Sequence, residues 1–302
     1  MDERSGIVLN GSISLLIVPS IGRREPHMGQ LDGKVALITG AARGQGRSHA
    51  VLLAEQGADI IGIDVCEDNP YNAYPLGTYE ELQETRALVE KAGRQMLALK
   101  ADVRDFGQVK AAVGKGVEEF GRLDISISNA GIAPMSWGER TEEEDVETWR
   151  AVVDVNLTGA WITAKVAVPH IQAGSRGGAV VLISSSSGMK GFSGYGGAGG
   201  GYGAAKAGLL GLTRSMANAL APESIRVNAV VPTAVNTVMA TNDAMTEFIS
   251  GDPARAKHMA NPMPVGMVEP IDISQAVLYL VGDSGRYVTG VALPVDAGFV
   301  NK

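Results

Sequence analysis

Cysteine is almost absent from this chain: Cys66 is the only one in 302 residues. That excludes an intramolecular disulfide framework, a cysteine-rich zinc site and a protein-ligated iron–sulfur cluster. Long apolar runs are missing too. No stretch reaches the roughly 18 residues of a membrane span, and the most apolar N-terminal run, Ile13 to Ile21, is short and holds Pro19. A signal peptide needs a positively charged start, whereas Asp2 and Glu3 come first and Arg4 stands alone. Lysine and arginine form no block, and a net charge of −7 argues against a nucleic-acid binder. The histidines, His27, His49, His170 and His258, are scattered without a His-Glu-x-x-His pattern, so no metal site is expected. A Gly-x-Ser-x-Gly elbow for Ser-His-Asp hydrolysis is also lacking.

Glycine, by contrast, is abundant at 39 residues, without a Gly-X-Y period, so the excess belongs in turns and close backbone contacts. With 45% hydrophobic residues the chain can fill a sizeable core. The first 27 residues differ in character from the rest of the chain, and two readings stand: a mobile extension, or sequence upstream of a start at Met28. From Lys34 onward, short apolar runs alternate with longer helical patterns. Strands are expected at Val35–Thr39, Asp59–Asp64, Met96–Ala101, Ile125–Ser128, Ala179–Ser184, Arg226–Val231 and Val291–Val295. Helices are expected at 46–56, 79–92, 107–120, 142–172, 202–220 and 271–281. Strands apolar throughout are covered on both faces. The pattern predicts a single α/β domain, residues 28–302, built on a Rossmann-type doubly wound parallel sheet of about seven strands.

The first strand runs into Gly40-Ala-Ala-Arg43-Gly44-Gln45-Gly46 and then a helix. Glycines there let the backbone turn tightly and approach a pyrophosphate at a helix N-terminus. Asp64 closes the next strand, where a carboxylate can accept from the adenosine ribose hydroxyls and repel a 2′-phosphate, which favours NAD over NADP. Arg43 weakens that preference, since a basic residue in this loop can serve a phosphate. Further on, Tyr202-Gly-Ala-Ala-Lys206 places a phenol and an ammonium on one helix face. A nearby cation favours the phenolate and makes Tyr202 a plausible general base.

The spacing Thr39-Gly40-x-x-x-Gly44-x-Gly46, with Asn129-Ala130-Gly131 after the fourth strand, resembles the short-chain dehydrogenase/reductase family. The resemblance implies that Asn129-Ala130-Gly131 abuts the cofactor and braces the sheet, and that Asp102-Val103 contacts the adenine. It further implies cofactor contacts from Gly40, Arg43, Gly44, Gln45, Gly46, Asp64, Val65, Pro232 and Val235, shared with Tyr202 and Lys206. The family's catalytic serine falls in Ile183-Ser-Ser-Ser-Ser-Gly188. Alignment selects Ser185, but Ser184 and Ser186 stay open because the stretch to Tyr202 is longer than usual, with the excess in a glycine-rich loop, Gly194–Gly201. Asn156, in Asp-Val-Asn156-Leu-Thr-Gly159, matches the helix asparagine that holds a proton-relay water behind the lysine, or else is a buried helix-kink amide.

Between Asp64 and the next helix lies an uncommon loop, Val65 to Tyr79, rich in proline and tyrosine. With it, the chain is similar to the mycofactocin-coupled, carveol-dehydrogenase-like subgroup. That likeness implies a cytoplasmic homotetramer oxidising an apolar alicyclic or terpenoid secondary alcohol. NAD would be tightly held, and electrons would pass to an external, peptide-derived redox acceptor. A variable lid is expected at about 232–268, where Met239, Met245, Met259, Met263 and Met267 suit an apolar substrate or a neighbouring subunit. Met135 and Trp137 are expected to line the same pocket. Two further readings remain open: an ordinary exchanging NAD(P)-dependent ketone reductase, and a non-catalytic NAD-sensing module.

Overall fold

The computed structural model describes residues 29–134, 140–191, 194–251 and 253–302; the first 27 residues, Met28, Met135 and Trp137 lie outside the described residues. Seven strands form one sheet: β1 (Val35–Thr39), β2 (Asp59–Asp64), β3 (Met96–Lys100), β4 (Ile125–Ser128), β5 (Gly178–Ile183), β6 (Ile225–Pro232) and β7 (Ala292–Val295). Their order is β3-β2-β1-β4-β5-β6-β7, with every pairing parallel. Each strand end falls within one residue of its expected position.

Side chains alternate across a strand, so one strand feeds two cores. Ala36 and Ile38 join the core under α1 (Gly44–Glu55) and α2 (Tyr79–Lys91), while Val35 and Leu37 join the core on the opposite face. That second core lies under α3 (Phe106–Phe120) and helices from beyond β4. Chain order reverses between β1 and β4, and an open α/β sheet offers its binding crevice at that switch point.

Two helices depart from expectation. The pattern over 142–172 reads as one helix, but the structure has α4 (Glu142–Val153), a π turn (Asp154–Thr158) and α5 (Gly159–Ala173). The Asn156 amide donates to Val152 O and Ile132 O, each at 2.9 Å, inserting a side chain into the helical ladder. This stretch is long and apolar enough by composition to cross a membrane, yet 61% of its most apolar 18-residue window is buried inside the fold as a core helix.

The second departure is α6, which runs Gly197–Leu220, so Gly197–Gly201 is helix rather than loop and Tyr202 sits within the helix rather than opening it. Glycine disfavours helix by about 1 kcal/mol per residue relative to alanine, and tertiary packing overrides it here. A Cβ on Gly197 would lie 2.0 Å from Asp145 O, so only glycine lets α6 come this close to α4. The Gly197 N–H donates to Asp145 Oδ1 at 2.7 Å, which starts the helix. After β6 come α7 (Val238–Thr241), α8 (Asp243–Ser250) and α9 (Pro253–Met259), then α10 (Pro270–Val281), which packs on α1.

Between α1 and α10 the imidazole of His49 is fully buried, with Nδ1 2.8 Å from Ser274 Oγ and Nε2 without a partner. Burial pushes its pKa down to about 3. An unfolded histidine binds a proton near pH 6.5, so stability should fall as pH drops from about 6.5 towards 3, by up to about 1.4 kcal/mol per pH unit from this one group. A His49→Gln variant should lose that share of the slope, read as urea midpoints that drop less than wild type between neutral and mildly acidic pH. Equal drops would contradict the assignment.

Candidate active site

At the switch point Asn129 stitches β4 to β1. Its N–H and that of Ala130 both donate to Thr39 Oγ1 at 3.0 Å, and its Nδ2 donates to Thr39 O at 2.9 Å. Gly40 sits at φ +67°, where a Cβ would lie 3.0 Å from Ala130 Cα; Gly44 sits at φ +56° against Thr237. Left-handed backbone with no room for a Cβ is what glycine alone supplies. Arg43 at the N-cap of α1 gives no side-chain cap, whereas α2 and α4 carry Thr-Glu capping boxes. The first turn of α1 therefore keeps its N–H groups for an anion.

A cavity of about 710 Å³ opens over this cradle. Of the expected residues it is lined by Gly40, Arg43, Gly44, Gln45, Asp64, Val65, Asp102, Val103, Asn129, Ala130 and Gly131. Five expected residues do not line it; two of these, Tyr202 and Lys206, lie at the end of β5. Gly46 packs α1 onto the turn, since its Cβ would lie 1.9 Å from Gly40 O. Pro232 ends β6 beside Val295, and Val235 is buried in a bridge to Val268. Thr237, Val238 and Met239 take that wall instead, as do Tyr74 and Leu76 from the loop after β2. Thr237, Val238 and Met239 fall within the expected lid and Tyr74 and Leu76 within the loop singled out after Asp64, although none of the five is expected by name as a cofactor contact.

Asp64 accepts from Ala42 N–H at 3.0 Å and Cys66 N–H at 3.3 Å. Burial raises its carboxyl above the ordinary range, and those N–H groups oppose the rise. The Arg43 guanidinium donates to Pro75 O and lies 3.7 Å from Glu81, so its charge is engaged by the loop and by α2. Asp102 turns its carboxylate to Arg104 at 2.5 Å. Cys66, half-buried rather than fully buried, has its thiol pushed up to about 12 by burial and by the Asp64 charge, and stays protonated. Among the described residues no His/Cys/Asp/Glu group could hold a metal. Glycine cradle, uncapped helix start and carboxylate at the end of β2 together fit a dinucleotide.

Beyond the cradle, α6 is locked to the end of β5. Ser184 Oγ donates to Lys206 O at 2.7 Å, and Lys206 Nζ donates to Ile183 O at 2.8 Å. The three candidate serines separate here: Ser184 is occupied by that bond, Ser186 is buried, and the Ser185 hydroxyl lies near enough to Tyr202 to lower its pKa. Tyr202 packs against Val103, Ile132, Val152 and Val155. Burial raises its pKa, opposed by the Ser185 hydroxyl, which is the opposite of the lowering expected from Lys206. The buried Lys206 ammonium, 5.6 Å from the Tyr202 ring centroid, is itself pushed down to about 8 by burial.

Asn156 Oδ1 is buried without a partner. A Cβ on Gly131 would lie 2.6 Å from that oxygen and 3.5 Å from Lys206 Nζ, so both groups border the space that glycine leaves open. Gly131→Ala must therefore displace the Asn156 side chain and strain its two buried hydrogen bonds, at about 1–3 kcal/mol. Scanning calorimetry should show a melting temperature several degrees lower, and an unchanged one would mean that the space is not so confined.

Comparison with known proteins agrees with this geometry. The family described as Enoyl-(Acyl carrier protein) reductase matches residues 40–300. The (-)-trans-carveol dehydrogenase of Rhodococcus erythropolis is 49% identical over 283 residues, spanning 91% of this chain and 100% of its own length. The trans-4-hydroxycyclohexanecarboxylate dehydrogenase of Sinomonas cyclohexanicum is 38% identical over 275 residues, 88% of this chain and 92% of its own. A solved structure, carveol dehydrogenase from Mycobacterium avium in complex with NAD, is similar with a TM-score of 0.83 at 47% identity, covering 91% of this chain and 100% of that one.

Proposed function

The chain belongs to the short-chain dehydrogenase/reductase family, and we propose that it oxidises a secondary alcohol on an apolar alicyclic ring, of the terpenoid kind, to the ketone. It is an NAD-dependent alcohol dehydrogenase. The observation that carries the reading is Tyr202, with Lys206 5.6 Å from its ring and locked to the end of β5 beside Ser185, at the sheet end that also carries the dinucleotide cradle. Tyr202 takes the hydroxyl proton, Ser185 donates to the oxygen that becomes a carbonyl, and Lys206 holds positive charge near the phenol. Asn156, with its free Oδ1 facing the space beside Gly131, leads protons from Lys206 towards solvent through water. When bound, oxidised NAD supplies the hydride acceptor and a second positive charge beside the phenol. Asp64 repels a 2′-phosphate, and Arg43, turned to Pro75 and Glu81, is not available to attract one.

Tyr202→Phe should lower turnover of cyclic secondary alcohols by about 10²–10⁴-fold. Wild-type oxidation should rise with pH from neutrality, because burial keeps the phenol protonated there. A variant that retained turnover would refute the assignment.

We also read the loop after β2, residues 65–78, as a strap that slows NAD release and forces electrons onward to an external, mycofactocin-like acceptor. Tyr74 is buried and accepts from Ala133 N–H at 3.4 Å, while the Arg43 guanidinium holds Pro75 O. Leu76 packs in the same cluster as Tyr202. Purified protein given cyclic secondary alcohols without added NAD should show one stoichiometric burst of nicotinamide reduction, extended by an artificial acceptor but not by free NAD. Turnover appearing only with free NAD would mean an ordinary exchanging enzyme, and silence in both would favour an NAD-sensing module. The segment from β6 to α10 would serve as the substrate lid, with Met239 on the cavity wall. Val146, Trp149 and Trp161, exposed on α4 and α5, suit the contacts of a cytoplasmic homotetramer.

A further inference from the structure

At the opposite end of the sheet from the dinucleotide cradle lies a second cavity, of about 530 Å³, that no step of the reaction uses. It opens at the starts of β1, β4, β5 and β6 and beside the end of α10. Five cations border it, Lys34, Arg122, Arg176, Arg226 and Arg286, against two carboxylates, Asp124 and Asp283. A chain of net charge −7 thus gathers a surplus of positive charge round one hollow. Its size is that of a small-molecule site.

Pairing within the protein accounts for only part of this cluster. Asp124 accepts from Arg122 at 2.7 and 2.8 Å and from Val35 N–H at 2.9 Å. Arg226 donates to the last carbonyls of α10, Val281 O among them at 3.2 Å, and a helix end offsets about half a charge. Lys34 stands 3.8 Å from Asp283. Arg176 approaches Asp124 only to 3.7 Å, at the oxygen that Arg122 already holds. Arg286 pairs with no carboxylate among the described residues: it reaches the Asp283 carbonyl at 3.5 Å and lies 5.1 Å from the centre of the exposed Tyr287 ring. Like charges held round one hollow repel each other, and an anion between them relieves the repulsion. A guanidinium matches two of its N–H groups to two oxygens of a phosphate or a carboxylate. We propose that this cavity binds a small polyanion, with two or more negative charges on phosphate or carboxylate groups, held chiefly by Arg176 and Arg286. Such a ligand ties the starts of four strands to the end of α10 and stabilises the fold from the side away from the reaction.

The probes are inorganic pyrophosphate and citrate, titrated separately by calorimetry at low salt into the full chain loaded with NAD, so that the cradle at α1 is already filled. Wild type should bind one equivalent of at least one probe and melt at a higher temperature in its presence. Pyrophosphate alone would mark a phosphate site, citrate alone a carboxylate site, and both a site for either group. Arg176→Gln combined with Arg286→Gln, at two exposed side chains, should bind the probe about tenfold more weakly. Without the probe that variant should melt like wild type and bind NAD equally well. Lys110→Gln combined with Lys115→Gln removes two exposed cations from α3, away from the cavity, and should keep the wild-type affinity. An equal loss in both pairs would overturn the proposal in favour of diffuse attraction. An affinity unchanged by loss of Arg176 and Arg286 would place the anion elsewhere and overturn it too, as would a wild type that bound neither probe.

Discussion

The placing of Tyr202 depends on two hydrogen bonds that fasten residue 206 to the end of β5, one through its carbonyl to Ser184 and one from its ammonium to Ile183 O. Because they use both the backbone and the side chain of one residue, they fix the rotation of α6 as well as its distance from the sheet. Gly188 completes the lock, since a Cβ there would lie 2.6 Å from Lys206 C. With α6 fixed in this way, Ser185 and Tyr202 meet without either having to search for the other. The same lock leaves Lys206 in a dry site whose desolvation brings its pKa down to about 8.

A small third core joins the two ends of the cavity. Val103 comes from beside the expected adenine position, Ile132 from the chain just past Gly131, and Val152 and Val155 from α4 and the π turn. Leu76 from the strap and Tyr202 from α6 both pack on it. The loop that borders Asp64 thus packs, through this core, against α6. Movement of the strap would disturb the tyrosine through packed side chains, with no need for a bond between them.

Sequence reasoning reached the sheet and most of the cradle because both obey short-range rules. Strands covered on two faces show as unbroken apolar runs, and a glycine that must adopt positive φ cannot be disguised, as at Gly40 and Gly44. It failed where distant residues decide. Gly197–Gly201 reads as loop by propensity, and only the approach of α4 makes it helix. The π turn is invisible to periodicity because its cause is an amide bond to Ile132, far away in the chain. Pro232 and Val235 were placed at the cofactor through likeness, whereas the backbone carries Thr237, Val238 and Met239 to the cavity wall. Choosing among the adjacent serines needed the position of Tyr202, which spacing alone could not supply.

The π turn also constrains how this gene can tolerate change. Asp154–Thr158 holds one residue more than an α-helical turn would, and a helix advances about 100° per residue. Five residues in the wider turn advance about as far round the axis as four in a regular one, so α5 keeps the phase it would have without the extra residue. Deleting one residue within the turn would leave Thr163, Ala164 and Ala167 in the core and Trp161 outside it, and would remove only the widening that lets the Asn156 amide reach Ile132 O. Deleting one from the regular turns on either side would instead rotate the rest of α5 by about 100° and swing those buried residues outwards. The extra residue therefore serves Asn156, and the helix beyond it is indifferent to its loss.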